Sequence, residues 1–503
     1  MQRLKSRMRV LVFAASAAML AIIGGGVALG SRAILNLQPF LDPTGLIATY
    51  NSSGNIDTGN PFFQSLGTNG RSCATCHQAS DAFGLSAAHA EARFRFSKGT
   101  DPLFASVDGA NCPTVSPGDA AGHSLVTGNG LFRISLPLPT TTEFTISVVH
   151  DPYGCAIQPD SNTGEMMISV YRRPLPTTNL KFSSAIMFDG RETVSPLNSA
   201  STFQANLTTD LIHQALDATN GHAQASPPLT LSDSRLSQMV DLELGLSTAQ
   251  IFDNAAGFLN FRKAQGGPVY LSQQQYHPGI NDVLGADPAG TPFDPSSFTI
   301  FAPWQGLTGN RVEQARAAIA AGEIIFNTHP LIITNVRGLN DNPAVATAVG
   351  TSLPVTSFQG TCSTCHDSPN VGNHSVALPL DIGTSHSPAQ ETDPDLMAAL
   401  AQLKPPDVPI YLISGCPDPF AAPGNPPTSF YTTDPGKALI TGKCSDFNRG
   451  KGPILRGLAA RAPYFHNGAA QNLNELVDFY NLRFQMNLTD QEKAELVAFL
   501  NSL

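Results

Sequence analysis

Residues 73–77, Cys-Ala-Thr-Cys-His, and residues 362–366, Cys-Ser-Thr-Cys-His, decide the fold of this chain. Each has the spacing C-x-x-C-H, in which two thiols form thioethers with one porphyrin and the following imidazole ligates its iron. Two other interpretations of C-x-x-C are a thioredoxin-like redox pair, which does not require the following histidine, and one half of a zinc site. The occurrence of the complete pentapeptide twice makes both interpretations weak. The sequence therefore predicts two covalently bound haem c groups. The predicted attachment residues are Cys73, Cys76, Cys362 and Cys365, and the predicted iron ligands are His77 and His366.

The composition limits the class of protein. A chain of 503 residues is too long for one hydrophobic core, and its 43 glycines and 39 prolines predict many loops. The formal net charge of -10 argues against nucleic acid or an anionic membrane surface as partner. An acidic surface suits a basic electron donor instead.

The N-terminus predicts export. Basic residues between positions 3 and 9 precede an uncharged, largely apolar stretch at 10–29, and small residues follow. This pattern is typical of a signal peptide, although twenty residues also suffice to span a bilayer. We interpret residues 1–33 as a signal peptide or an N-terminal anchor, so the protein meets a membrane only if this segment is uncleaved. Either way the rest of the chain is expected in the periplasm.

Four cysteines remain after the two haem motifs. In an oxidising compartment they are expected to form two disulfides. Proximity in the sequence favours Cys112 with Cys155 and Cys416 with Cys444, which is one of three possible connectivities. Four buried free thiols are the alternative.

The patterning predicts a mainly α fold with two cytochrome c-type haem domains, long loops and a small β insertion. Alternating apolar and polar residues at about 130–185 place the insertion in an N-terminal haem domain of residues 34–308. Residues 264–308 are rich in Gly, Pro and Gln and are expected to form a long connection. Residues 311–327 have apolar residues at helical spacing, and we predict that they form the first helix of a C-terminal haem domain of residues 309–503.

Two further stretches carry a resemblance to a known family. Residues 452–468, which contain Pro-Tyr-Phe-His-Asn-Gly, and residues 187–191, Met-Phe-Asp-Gly-Arg, are similar to elements of the bacterial di-haem cytochrome c peroxidases and MauG-like enzymes. The resemblance implies that peroxide or O₂ reacts at the N-terminal haem. It also implies that the C-terminal haem relays electrons from a small redox protein. A calcium ion between the haems is a further implication, with main-chain oxygens of Arg461-Ala-Pro463 as its ligands.

The resemblance also implies a sixth ligand for the C-terminal haem. In the family this ligand is a Met or a Tyr at a fixed distance after the motif histidine, and counting from His466 leads to Tyr480. Tyr480 also lies on the apolar face of a predicted helix, as a core aromatic residue would. Met486 is the alternative ligand, since a thioether would raise the potential of this haem.

Three positions depart from the family pattern. Phe188 replaces the tryptophan that lies between the haems. Gln224 stands where the family has its catalytic glutamate, and because a glutamine cannot exchange a proton, His222 is the candidate substitute. Arg93 stands where the family has a detachable histidine ligand, with His89 the nearest histidine, so the first iron is expected to be open to peroxide or O₂.

Three functions stay open at this point. The first is a periplasmic di-haem oxidoreductase with weak peroxidase activity, in which His222 and Gln224 are the candidate catalytic residues. The second is a non-enzymatic electron-transfer cytochrome whose two irons are both six-coordinate. The third is MauG-like or oxygenase activity on an organic substrate.

Overall fold

The computed structural model describes residues 33–160, 163–193, 200–420 and 428–503. Residues 1–32, which carry the predicted export signal, lie outside these ranges. Within the described ranges, no helix is both long enough and apolar enough to cross a membrane.

Short strands form several small sheets in the described part of the chain. In chain order the strands are β1 (Ala33–Ile34), β2 (Phe40–Asp42), β3 (Gly45–Asn51), β4 (Ile56–Asp57), β5 (Phe132–Pro137), β6 (Thr145–His150), β7 (Ile157–Pro159), β8 (Met166–Arg172), β9 (Leu246–Asp253), β10 (Gly257–Phe258), β11 (Leu331–Ile333), β12 (Phe358–Gly360), β13 (Ile410–Cys416) and β14 (Thr428–Thr432). The sheets have the strand orders β1-β4, β10-β9-β3-β2, β11-β12, β14-β13-β6 and β5-β8-β7.

Helices cover more of the chain than strands do. In chain order the α-helices of the described residues are α1 (Cys73–Cys76), α2 (Ala87–Ser97), α3 (Ser124–Asn129), α4 (Ala200–Gly221), α5 (Ser234–Gly245), α6 (Pro268–Ser272), α7 (Arg311–Thr328), α8 (Pro343–Val349), α9 (Pro394–Leu400), α10 (Ala438–Thr441), α11 (Leu473–Arg483) and α12 (Asp490–Asn501). Helix accounts for 31% and strand for 17%, so helix exceeds strand as expected, and the expectation of a mainly α fold is met only in part. The strands, however, are spread along the chain and are not confined to one insertion.

The predicted β insertion is joined to the C-terminal half. Strand β6 pairs antiparallel with β13, with Leu412 opposite Ser147, and β13 also pairs with β14. The hydroxyl of Tyr411 on β13 donates to the carbonyl of Ser169 on β8 at 2.6 Å. Alternating residues predict a strand but not its partner, which explains why the sequence alone does not reveal this pairing. The division into domains at residue 308 stays a prediction.

The largest hydrophobic core surrounds α7 and α12. Gly322 on α7 allows the close approach, because a Cβ there would lie 2.0 Å from the carbonyl oxygen of Glu495 on α12. The expected connection at 264–308 contributes to this core: Trp304 is fully buried and stacks on Phe301, with ring centroids 5.0 Å apart. This segment is therefore partly a structural component of the C-terminal half.

The four remaining cysteines lie in the two pairs that sequence proximity favours. Cys112 lies beside Cys155 with Cα atoms 6.0 Å apart, and Cys416 lies beside Cys444 with Cα atoms 5.4 Å apart. The second pair joins the end of β13 to the segment after α10. The cysteines of both C-x-x-C-H segments are free.

Candidate functional site: two C-x-x-C-H segments and the cavity beside the first

The two C-x-x-C-H segments adopt the same local structure. The backbone N–H of Ser72 donates to Thr75 Oγ1 at 3.0 Å, and that of Thr361 donates to Thr364 Oγ1 at 2.9 Å. Each pair begins a single helical turn, α1 in the first segment and a 3₁₀ turn at Cys362–Thr364 in the second. The hydroxyl residue before each motif and the Thr inside it are therefore a repeated N-terminal cap, visible in the sequence as Ser/Thr-Cys-x-Thr-Cys-His.

Each motif histidine is oriented by a main-chain carbonyl. Nδ1 of His77 lies 3.0 Å from the carbonyl oxygen of Phe83, and Nδ1 of His366 lies 2.7 Å from that of Gly372. A carbonyl accepts a hydrogen bond, so each Nδ1 carries the proton and each Nε2 keeps its lone pair. Burial lowers the pKa of both imidazoles to about 4, despite the opposing effect of the carbonyl bonds. Two neutral imidazoles and four free thiols are a donor set that fits two haem c groups.

A cavity opens beside the first motif. It leaves about 1460 Å³ free of protein atoms, open solvent at its mouth included. Cys73, Cys76 and His77 line it together with apolar residues of several other segments. Those apolar residues include Leu66, Phe132, Ile134, Leu180, Ile186 and Leu211. A largely apolar cavity with a few polar groups is typical of a cofactor or ligand site.

His222 is the predicted acid–base residue that the structure brings into this cavity. Its Nδ1 hydrogen-bonds the carboxylate of Asp108, which also forms an ion pair with Arg71. All three residues line the cavity, and a charge on His222 would lower the pKa of His77. Although burial raises the pKa of Asp108, Arg71 and His222 together hold it below its usual value. Asp108 is therefore a carboxylate that accepts from Nδ1 and leaves Nε2 of His222 as the basic nitrogen.

The backbone around these residues holds them in place. Nδ2 of Asn69 donates to the carbonyl oxygen of His222 at 2.8 Å, and Nη2 of the buried Arg71 donates to that of Leu103 at 2.7 Å. Gly109 makes room for this guanidinium, since a Cβ there would lie 2.7 Å from Arg71 Nη2 and 2.1 Å from the carbonyl oxygen of Leu103. The sequence offered no signal for Asp108 or Arg71, because each belongs to a segment distant from His222 along the chain.

Other residues singled out in the sequence lie elsewhere. Gln224 is exposed and does not line the cavity; its side-chain oxygen accepts from Asn69 at 3.2 Å. Arg93 donates to Asp101 through Nε at 3.0 Å and also does not line the cavity. His89 contacts Asp81 and is likewise absent from the cavity wall. The structure thus brings His222 to the first motif and leaves Gln224 at the surface, two residues further along the chain.

Glu243 is a cavity residue that the sequence did not single out. It lies on α5, its side chain is buried, and its Oε2 has no hydrogen-bond partner among the described residues. Burial raises its pKa to about 8, and Glu243 in turn contributes to the raised pKa of Cys73 after burial itself. Helical periodicity places Glu243 among Met239, Val240 and Leu242, which is a weak signal that this acid faces the interior.

Tyr480 lies close to the second motif. It projects from α11, packs against the same core as Cys362 and Cys365, and is half-buried. Burial and then the two thiols raise the pKa of its phenol. Met486 is buried in the same core, and its carbonyl oxygen accepts from His329 Nε2 at 2.7 Å. A further cavity, lined by Thr361 and Thr364, borders this motif.

Phe188 and His466, from the two family-like stretches, stack on each other. Their ring centroids are 4.6 Å apart and the rings are inclined by 15°. The guanidinium carbon of Arg172 lies 5.0 Å from the centroid of the Phe188 ring. Phe188 lines both the first cavity and an adjoining cleft. His374 and Leu378 line both that cleft and the cavity beside the second motif. The stack therefore stands between the two motif regions.

The residues at the expected calcium position do not fit that ion. The carbonyl oxygen of Arg461 accepts from Nη2 of Arg173 at 2.7 Å. The same guanidinium donates to the carbonyl oxygens of Leu85 at 2.6 Å and Asn129 at 2.8 Å. A cation of the chain thus already contacts this carbonyl, and the described residues contain no cluster of three or more His, Cys, Asp or Glu that could hold a metal. We derive no role for calcium.

Comparisons with known proteins point to one family. No protein-family model matches the chain. Cytochrome-c peroxidase IdrP2 of Denitromonas iodatirespirans is 29% identical over 212 residues, which are 40% of this chain and 52% of that protein. Cytochrome-c peroxidase IdrP1 of Pseudomonas sp. (strain SCT) is 35% identical over 81 residues, 14% of this chain and 21% of that protein. The chain thus spans about half the length of the first relative and less of the second.

A solved structure was also found. It is the crystal structure of a MauG-like protein associated with microbial copper homeostasis, 16% identical, covering 70% of this chain and 79% of that one. The TM-score is 0.28, a value too low to establish a common fold. Both curated relatives are named cytochrome-c peroxidases, so over the matched stretches this chain is similar to that class of protein, and the two C-x-x-C-H segments agree with the resemblance to the di-haem cytochrome c peroxidases and MauG-like enzymes.

Proposed function

We propose that the chain is an exported di-haem c-type oxidoreductase that reduces peroxide in the cavity beside Cys73 and Cys76. The reaction breaks the O–O bond of H₂O₂ and consumes two electrons and two protons to give two waters. A small redox protein is the proposed source of the electrons. The observation that carries the proposal is the presence of the His222–Asp108 pair in the same cavity as His77.

The chain's own residues supply binding and proton transfer. A haem c iron, when bound, supplies the one-electron chemistry. His77 is oriented to hold it, because Phe83 fixes the proton on Nδ1 and leaves Nε2 free. Nε2 of His222 takes the proton from one peroxide oxygen and returns it to the other. Asp108 stabilises the imidazolium that exists between these two transfers, and Arg71 keeps Asp108 ionised.

Electrons are proposed to enter through the C-terminal half. Cys362, Cys365 and His366 would hold the relay haem there, and Tyr480 would be a further ligand of its iron, with Met486 as the alternative. The stacked rings of Phe188 and His466, with centroids 4.6 Å apart, are the contact that we propose for electron transfer between the two halves. Phenylalanine is hard to oxidise, so this contact supports tunnelling and not a radical intermediate on Phe188.

The proposed location is the periplasm. Covalent haem attachment and two disulfides both fit that oxidising compartment, and the geometry of the cysteine pairs supports the second feature. The net charge of -10 suits a donor with a basic surface.

Rapid mixing with peroxide tests the proposal. The Soret spectrum of the oxidised protein should change on adding H₂O₂, and His222→Gln should slow that change by about 10²-fold or more, since glutamine donates hydrogen bonds but exchanges no proton. His213→Gln is the matched control, because His213 lies on α4, upstream of His222, and does not line the cavity. If the Soret spectrum of the wild type did not change on adding peroxide, the proposal would be wrong and the protein would be a non-enzymatic electron carrier. An unchanged rate in His222→Gln would assign proton transfer to another residue.

A further inference from the structure

The wall of the first cavity carries five cations, and four of them are already satisfied. Arg71 pairs with Asp108, and both Arg172 and Arg191 pair with Asp189. The remaining arginine, Arg173, donates to the three carbonyl oxygens described above. The fifth cation is Lys451, and among the described residues no carboxylate forms an ion pair with its Nζ.

Lys451 is held in place by its backbone. Its N–H donates to the carbonyl oxygen of Phe188 at 2.7 Å. Gly450 permits this approach, since a Cβ at that position would lie 2.2 Å from the ring of Phe188. The side chain is half-buried and lines both the first cavity and the adjoining cleft. Burial alone lowers its pKa to about 8, which leaves a mostly charged ammonium at pH 7 without an anion to balance it.

Partial burial of a cation without a counter-ion is unfavourable, and an anion that enters the cavity would reduce this cost. A haem carries two propionate carboxylates, so the prosthetic group itself is a source of such an anion. We propose that Lys451 is the counter-ion of a carboxylate in the first cavity, and that this carboxylate is a propionate of the haem attached at Cys73 and Cys76. This inference rests on the haem attachment in the proposed function and does not depend on peroxide chemistry.

Lys451 would then tune the potential of one haem. Removing a positive charge next to a haem favours the ferric form, which is the more positive one. Lys451→Met should therefore lower the midpoint potential of one of two haems in an optical potentiometric titration at pH 7, and leave the other unchanged. Lys451→Arg should keep the wild-type value, because it retains the charge.

Lys437→Met is the matched control. Lys437 lines the same cleft, but it does not line the first cavity and it already pairs with Asp446 at 3.6 Å. We expect both midpoint potentials to be unchanged in this variant. The haem content of each variant, measured as the pyridine haemochrome, shows whether it is loaded like the wild type.

Two results would overturn the inference. The first is a Lys451→Met protein with the wild-type haem content and unchanged potentials. The second is a difference in midpoint potential between Lys451→Met and the wild type that appears only when sodium acetate replaces sodium chloride in the buffer. The carboxylate beside Lys451 would then come from solution and not from a propionate. If the wild type held no haem, the proposed function itself would fail, and the haemochrome assay reports that separately.

Discussion

At the scale of single residues, the potential and the spectrum of a haem at the second motif would depend on which residue ligates its iron in addition to His366. Tyr480 lies beside Cys362 and Cys365 in one hydrophobic core and is half-buried there. A phenolate bound to ferric iron would stabilise the oxidised state, the phenol having released its proton to solvent. We therefore expect Tyr480→Phe to raise the potential of this haem and to change its low-spin spectrum.

The control for Tyr480 is the other candidate ligand. Met486→Leu conserves volume and should leave the spectrum unchanged if Tyr480 is the ligand. EPR spectra of the two ferric variants decide between them. A Tyr480→Phe protein with an unchanged low-spin signal, together with a changed signal in Met486→Leu, would reverse the assignment.

Residues near a motif were predictable, whereas their distant partners were not. The C-x-x-C-H spacing alone predicts the attachment cysteines and the iron-ligating histidines, and the structure places Cys73, Cys76 and His77 together on the wall of one cavity. Asp108 and Arg71 are far from His222 in sequence, and an isolated aspartate or arginine carries no pattern that links it to a site. The sequence also does not reveal that His222 lines the cavity whereas Gln224, two residues later, is exposed. Both follow the end of α4 at Gly221, so helical periodicity does not assign either side chain to a face.

At the scale of elements, the packing of α7 against α12 rests on a single glycine. A Cβ at Gly322 would lie 2.0 Å from the carbonyl oxygen of Glu495 and 2.7 Å from Cβ of Phe499. Gly322→Ala must push the two helices apart, and overpacking of this kind typically costs about 1–3 kcal/mol. We expect a lower midpoint of thermal unfolding, measured by circular dichroism.

Gly128→Ala is the matched control for that prediction. Gly128 lies in helix α3, and a Cβ there would meet nothing within 4 Å. Alanine has the higher helix propensity, so this variant should be as stable as the wild type or slightly more stable. Equal midpoints for Gly322→Ala and the wild type would show that α7 and α12 do not pack as described.

The elements themselves were more predictable than their pairing. Helix α7 has apolar residues at helical spacing, and Thr489 with Glu492 caps α12 as a capping box, so both are readable in the sequence. The pairing of β6 with β13 joins strands far apart in sequence. Strand patterning specifies which face is buried but not which strand lies alongside, so the sequence assigned the insertion to the N-terminal domain and did not reveal its partner in the C-terminal half.

At the scale of the whole molecule, the two halves are connected by several features. Strand β6 pairs with β13, the guanidinium of Arg173 contacts the carbonyl of Arg461, and Phe188 stacks on His466. Each of these contacts joins a residue of the first half to one of the second. This arrangement fits a protein in which electrons pass from one haem to another, because the distance between the two sites is then fixed by the fold.

The central claim is that each C-x-x-C-H segment holds one covalent haem. The most direct test is a pyridine haemochrome assay, combined with intact-protein mass, on the chain expressed with export to the periplasm. We predict two haems per chain for the wild type. A variant with Cys362→Ala and Cys365→Ala should hold one, because no residue of the second motif lines the first cavity or contacts Nδ1 of His77. A wild-type value of one haem or none would contradict the account.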